Sequence, residues 1–129
     1  MFVNSMKVRY NYGLRGGVEM VDLLKEAENI TTLVHKIVDA TMPVKVYLFG
    51  SVAENKEGAD SDYDFYVVVG DDTASTLKTA TKAYRAIRGY KSRPVDIVVG
   101  KESTFEKRKT WALSVEQEVA TKGILVYGQ

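Results

Sequence analysis

A small α/β (α+β) domain, built on a mixed sheet of about four strands flanked by helices, is the fold class that these 129 residues predict. Short apolar runs alternate with segments whose apolar residues recur every three or four positions, the pattern of strands interleaved with amphipathic helices. The two runs Phe65 to Val69 and Val95 to Val99 are joined through a helical segment, so they pair in parallel by a right-handed crossover. An earlier run ends at Gly50-Ser51, and if that turn serves the same sheet edge as Asp64, its strand runs antiparallel to the second. The sheet is therefore mixed.

The elements follow in order. Residues 1–17 carry Tyr10, Tyr12, Gly13, Gly16 and Gly17, a composition that fits a turn, an N-terminal arm or a docking edge. From Val18, the positions Met20, Leu23, Ala27, Ile30, Val34 and Ile37 trace the apolar stripe of a helix that stops before Met42-Pro43. Val44 to Phe49 is the first strand and a short helix follows Ser51. Phe65 to Val69 is the second strand, apolar enough to be buried on both faces. Asp72-Thr73 can cap a helix carrying Leu77, Ala80, Tyr84 and Ile87 on one side. Pro94 opens the third strand, a position where proline is tolerated. Ser103-Thr104-Phe105-Glu106 reads as a capping box for one long last helix through Ala112, Val115 and Val119. Gly123 ends that helix and Ile124 to Tyr127 closes the sheet.

Composition bounds the function. One domain spanning 1–129 fits the length, with 1–17 as the arm and 44–100 as the core that carries chemistry. The 18 basic and 17 acidic side chains leave a net charge of +1, which offers no strong field to nucleic acid or to an anionic membrane. The absence of cysteine excludes disulfides and thiolate zinc sites and suits a reducing cytoplasm. No apolar run approaches the ~18 residues of a membrane span, and no signal-peptide core opens the chain. A cytoplasmic location is the expectation.

Chemistry concentrates in Gly50-Ser51, ten intervening residues, and Asp62-Tyr63-Asp64. Residues i and i+2 of a strand share a face, roughly 6.5–7 Å apart, so two carboxylates there can share one or two divalent cations. A small-residue turn with free backbone N–H groups beside them suits a polyphosphate. The crossover brings Asp96, at the start of the third strand, to the edge that holds Asp64. The calcium-loop alternative, Asp60-Ser61-Asp62-Tyr63-Asp64, fails because Phe65 stands where a sharp turn needs glycine and Asp71 stands at the twelfth position.

These residues resemble the nucleotidyltransferase superfamily of DNA polymerase beta, and most nearly its minimal (MNT-type) bacterial and archaeal members. The likeness covers Val44 to Val99 well and the C-terminal helix and Gly123 to Tyr127 loosely. It implies the nucleotidyltransferase fold and transfer of a nucleoside monophosphate, AMP from ATP, to an acceptor hydroxyl with release of pyrophosphate. It further implies Asp62, Asp64 and Asp96 as catalytic metal ligands for two Mg²⁺ ions, with Gly50, Ser51 and Ser61 binding the nucleotide. The larger relatives carry extra acceptor-binding domains and this chain has none, so the resemblance implies an acceptor surface borrowed from a partner chain or from a second copy in a homo-oligomer. Many small members pair as antitoxins with a helical HEPN-type toxin and transfer AMP to it, which makes such a toxin the expected partner. A small-molecule (antibiotic-type) nucleotidyltransferase and a non-catalytic binding module are the alternatives.

Other features are open at this level. Arg85, Arg88, Lys91 and Arg93 lead towards the site edge, either as solvated charge or as contacts to triphosphate or acceptor. Lys107-Arg108-Lys109 and Trp111 fit a nucleotide contact, a core position or an interface anchor. His35, the only histidine, is expected to be partly buried or on the surface. Walker A, Gly-x-Gly-x-x-Gly and Gly-x-Ser-x-Gly patterns are missing, so the folds that depend on them have no support.

Overall fold

A computed structural model describes residues 20–54 and 61–129, with the side chains of the first helix from Lys25 onward. The N-terminal arm 1–17 and the side chains of Met20 and Leu23 lie outside the described residues. The elements are α1 (Met20–Thr41), β1 (Lys45–Phe49), α2 (Gly50–Ala53), β2 (Tyr63–Val69), α3 (Thr76–Ile87), β3 (Val95–Lys101), α4 (Glu102–Arg108), α5 (Val115–Lys122) and β4 (Ile124–Tyr127). They form one mixed sheet in the order β3-β2-β1-β4. β1 is antiparallel to β2 and to β4, whereas β2 and β3 are parallel, as the crossover argument requires.

The sheet sorts its side chains by parity. Tyr63, Phe65, Val67 and Val69 of β2 pack with Ile30, Leu33, Val34 and Ile37 of α1 and Ala83 and Ile87 of α3. Tyr66 and Val68 point the other way, to Phe105 of α4 and Val119 of α5. Helices thus cover both faces, which explains why β2 is apolar at almost every position. Asp64 shares its parity with Tyr66, so it emerges on the α4/α5 face.

α1 stops where sterics demand. Met42 adopts a left-handed φ of 46° before Pro43, and its N–H donates to Val38 O at 2.8 Å. His35 is on the exposed side of α1.

Three helix expectations are corrected. α3 is capped by Ser75, whose hydroxyl accepts from Lys78 N–H at 3.1 Å, and not by Asp72-Thr73. The turn keeps Gly70 to Thr73 occupied, with Thr73 N–H donating to Gly70 O. The inward side of α3 is Thr79, Ala83 and Ile87, while Leu77 is 77 % exposed. The single long C-terminal helix is instead two. Ser103 is not a cap: α4 begins at Glu102, and Ser103 N–H donates to Asp71 from the β2–α3 turn. α4 then ends at Arg108, Leu113 takes a left-handed φ of 66°, and Ser114 caps α5 by accepting from Gln117 N–H at 2.9 Å. Phe105 and Val119, on either side of the break, pack into one cluster on the same face of the sheet. Gly123 follows α5 in extended conformation, with φ −75°.

Candidate functional site

Strand register builds the site. Phe49 stands opposite Asp64, and Asp64 opposite Asp96, so the end of β1 and the starts of β2 and β3 meet at one sheet edge. β2 begins at Tyr63, two residues earlier than the apolar run suggests, which places Asp64 inside the sheet and Asp62 just before it. Asp62 and Asp64 are partly exposed, and Asp96, on the outer strand β3, is exposed.

Gly50 closes the other side. Its φ of 78° is left-handed, and a Cβ added there would overlap the Asp64 carboxylate at Oδ2. Both facts require glycine. The chain turns directly from β1 into the single turn of α2, leaving Ser51 exposed beside the carboxylates.

Asp64 is electrostatically unusual. Burial, reinforced by the negative charges of Asp96, Asp62 and Glu118, pushes its carboxyl up to about 6. All four causes disfavour its ionised form, and none is a cation or a hydrogen-bond donor. Such accumulated negative charge is what a bound cation would relieve. Among the described residues no three acidic or imidazole side chains converge into a ready-made metal cage. The arrangement suits an ion such as Mg²⁺, which takes one or two protein carboxylates and completes its shell with phosphate oxygens and water. Asp62, Asp64 and Asp96 could supply those carboxylates.

A cavity of about 570 Å³ adjoins this edge. Gly50, Ser51 and Glu54 line one side of it, and Leu113, Ser114, Gln117, Glu118, Thr121 and Lys122 line the other. Nothing in the sequence pattern singles out the α5 residues Gln117, Glu118, Thr121 and Lys122. A period of 3.6 gives the stripe Val115 and Val119 but does not reveal that Glu118 and Lys122 overlook a turn some seventy residues earlier.

Two polar networks hold the site in place. Arg93 donates from Nη2 to Glu26 at 3.0 Å and from Nη1 to the Ser61 carbonyl at 3.2 Å, with its guanidinium 4.7 Å from the centroid of the Tyr63 ring. It therefore ties α1 to the residue that leads into Asp62, and it is neither solvated charge nor free for a triphosphate. Ser61 is positioned by this contact through its main chain. Arg85, Arg88 and Lys91 are exposed.

The second network is buried at Tyr66 and Glu116, and Arg108 reaches it from the surface. Tyr66 donates to Glu116 at 2.8 Å and Arg108 Nε donates to the other carboxylate oxygen at 2.9 Å, joining β2, α4 and α5. Burial alone would raise the Glu116 carboxyl, but the bonds from Arg108 and Tyr66 outweigh it and leave it below its ordinary range. The same burial, with Glu116 beside it, raises the Tyr66 phenol. Lys109 pairs with Glu106 at 2.6 Å. Trp111 is not a core residue; it is 45 % exposed, with the Arg108 guanidinium 4.9 Å from its centroid. Among the described residues no helix is long and apolar enough to cross a membrane.

Comparisons with known proteins bear on the fold and the family. A candidate nucleotidyltransferase of Sulfolobus solfataricus superposes with a TM-score of 0.59 at 19% identity, over 89% of this chain and 94% of that one. A toxin–antitoxin structure with AMP-PNP is 24% identical over 75% of this chain and 72% of its own, with a TM-score of 0.47. The toxin–antitoxin MntA-HepT is 22% identical over 81% and 73%, with a TM-score of 0.42. No curated protein sequence matches significantly. The sequence model of the family described as polymerase beta, nucleotidyltransferase, matches residues 28–129, from the middle of α1 through β4. The chain belongs to the polymerase beta nucleotidyltransferase family.

Proposed function

We propose that this nucleotidyltransferase moves AMP from Mg²⁺-bound ATP to a hydroxyl on a partner protein, as the antitoxin of a HEPN-type toxin. The observation that carries the site assignment is the register Phe49–Asp64–Asp96, which gathers Gly50, Ser51 and the three carboxylates at one edge. Asp62 and Asp64 would hold Mg²⁺, and Asp96 would complete the shell of a second ion. Bound there, the metal supplies charge neutralisation to the triphosphate and the departing pyrophosphate.

The chain's own groups do the rest. Gly50 lets the backbone approach the phosphates closely, and the Ser51 N–H and hydroxyl donate to a non-bridging β- or γ-oxygen. Ser61 borders the same nucleotide, held in position by Arg93. Asp96 accepts the proton of the acceptor hydroxyl as its oxygen forms the new bond to the α-phosphorus. The bond to the β-phosphate oxygen breaks and pyrophosphate leaves.

The partner assignment is supported by the resemblance to the minimal members of the family and by the exposure of Asp96 on an outer strand. A hydroxyl carried by a macromolecule can reach it there. The test is incubation with Mg²⁺ and α-labelled ATP, with and without a HEPN-type protein encoded beside it, using Asp64→Asn as control. Label on the protein that depends on Asp64 is the expected result. Label on a small molecule instead would redirect the reading to an antibiotic-type enzyme. Partner binding with no Asp64-dependent transfer would leave a binding module.

A further inference from the structure

Leu113 is the most exposed large apolar side chain among the described residues, at 99 %, and it occupies a left-handed φ of 66°. Asparagine or glycine would meet that backbone requirement with less strain. Full exposure means that the leucine returns nothing to the core. The loop around it is nevertheless firmly held. Leu113 N–H donates to Gln117 Oε1 at 3.1 Å, the Ser114 hydroxyl donates to Arg108 O at 2.7 Å, and Ser114 N–H donates to Trp111 O at 3.2 Å.

This leucine lines the 570 Å³ cavity whose far wall is Gly50-Ser51. The volume falls within the range of small-molecule sites, which combine apolar walls with a few placed polar groups. Gln117 lines it too, and because its Oε1 accepts from Leu113, its amide nitrogen remains as a donor.

We propose that Leu113 and Gln117 form the nucleobase subsite of the bound nucleoside triphosphate. Leu113 packs against the plane of the base, and the Gln117 amide donates to an acceptor on its edge. A purine, with the larger face and several ring-nitrogen acceptors, is favoured over a pyrimidine. The proposal rests on reading Gly50-Ser51 as the triphosphate site, since that places the nucleoside in the rest of the cavity.

The test uses the full chain, Mg²⁺, a non-hydrolysable ATP analogue and inorganic tripolyphosphate, which carries no base. Leu113→Asn is expected to weaken the analogue roughly five- to tenfold, about 1–1.4 kcal/mol at 25 °C, and to leave tripolyphosphate unchanged. The same substitution is expected to raise the melting temperature of the ligand-free protein, because asparagine suits the left-handed backbone. A loss of affinity combined with a gain of stability is not the signature of a structural residue. Gln117→Glu, which still accepts from Leu113 N–H but cannot donate, is expected to weaken the analogue by a larger factor than tripolyphosphate, which meets only the added charge.

Equal loss of both ligands, or no loss of either, would overturn the proposal. Unchanged analogue binding with weakened docking of a partner protein would also overturn it and assign the leucine to an interface. Failure of the wild-type chain to bind tripolyphosphate and the analogue alike would instead refute the triphosphate reading on which the proposal stands.

Discussion

Asp64→Asn should stabilise the metal-free protein at neutral pH. The Asp64 carboxyl is raised from 3.8 to about 6 by burial and by Asp96, Asp62 and Glu118. A group whose pKa is higher in the folded than in the unfolded state favours folding below its unfolded value. That contribution is lost as pH rises from about 4 through about 6, and above this range the ionised carboxylate is a constant penalty. A difference of about two pH units corresponds to at most ~3 kcal/mol. Asp64 is open to water on one side, and screening there reduces the penalty to roughly 1 kcal/mol. Asparagine has nearly the same shape and no charge. In EDTA at pH 7.5 the substitution should therefore raise the melting temperature by about 3–5 °C for a chain of this size. At pH 4 the two proteins should melt together. A calorimetric or fluorescence melt at both pH values suffices. Asp64→Asn that destabilises at pH 7.5, or an advantage that persists undiminished at pH 4, would refute the claim that uncompensated negative charge gathers on this carboxylate.

Other outcomes follow from the same geometry. Gly50→Ala meets a left-handed backbone cost of roughly 1–2 kcal/mol and the overlap with Asp64 Oδ2, so both the melting temperature and transfer activity should fall, with activity falling at least a hundredfold. Glu116→Ala strands the Tyr66 hydroxyl and leaves Arg108 unpaired, at roughly 3 kcal/mol by chemical denaturation, and adding Tyr66→Phe should recover part of that loss. Arg93→Lys should not replace arginine, because one ammonium cannot reproduce the fork that holds both Glu26 and Ser61; a loss of about 1–2 kcal/mol relative to wild type is expected in the same assay.

The strands and the site edge were legible because they depend on short-range signals. Apolar runs located β1 to β4, and the helical connection from β2 to β3 required a parallel pair. That pairing by itself brings Asp96 beside Asp64. Helix ends were harder. Asp72 and Ser75 are both good caps, and what decided between them was the Gly70–Thr73 turn. Phe105, Val115 and Val119 do face one core, so their periodicity concealed the break at Leu113. The pattern Ser114-x-x-Gln117 was the signal available for it, since serine followed three residues later by glutamine commonly starts a helix. Arg93 and Glu116 were beyond sequence reasoning for a different reason. Their partners, Glu26 and Tyr66, lie 67 and 50 residues away, and only the packed fold determines which charges meet.

The central claim is that one sheet edge binds a metal–triphosphate between Gly50-Ser51 and the three carboxylates. Calorimetric titration of a non-hydrolysable ATP analogue, with and without Mg²⁺, tests it directly in the wild-type chain and in Asp62→Asn and Asp64→Asn. Binding that requires Mg²⁺ and is lost in both variants is the predicted result. Binding that is indifferent to Mg²⁺, or that survives in both variants, would contradict the account.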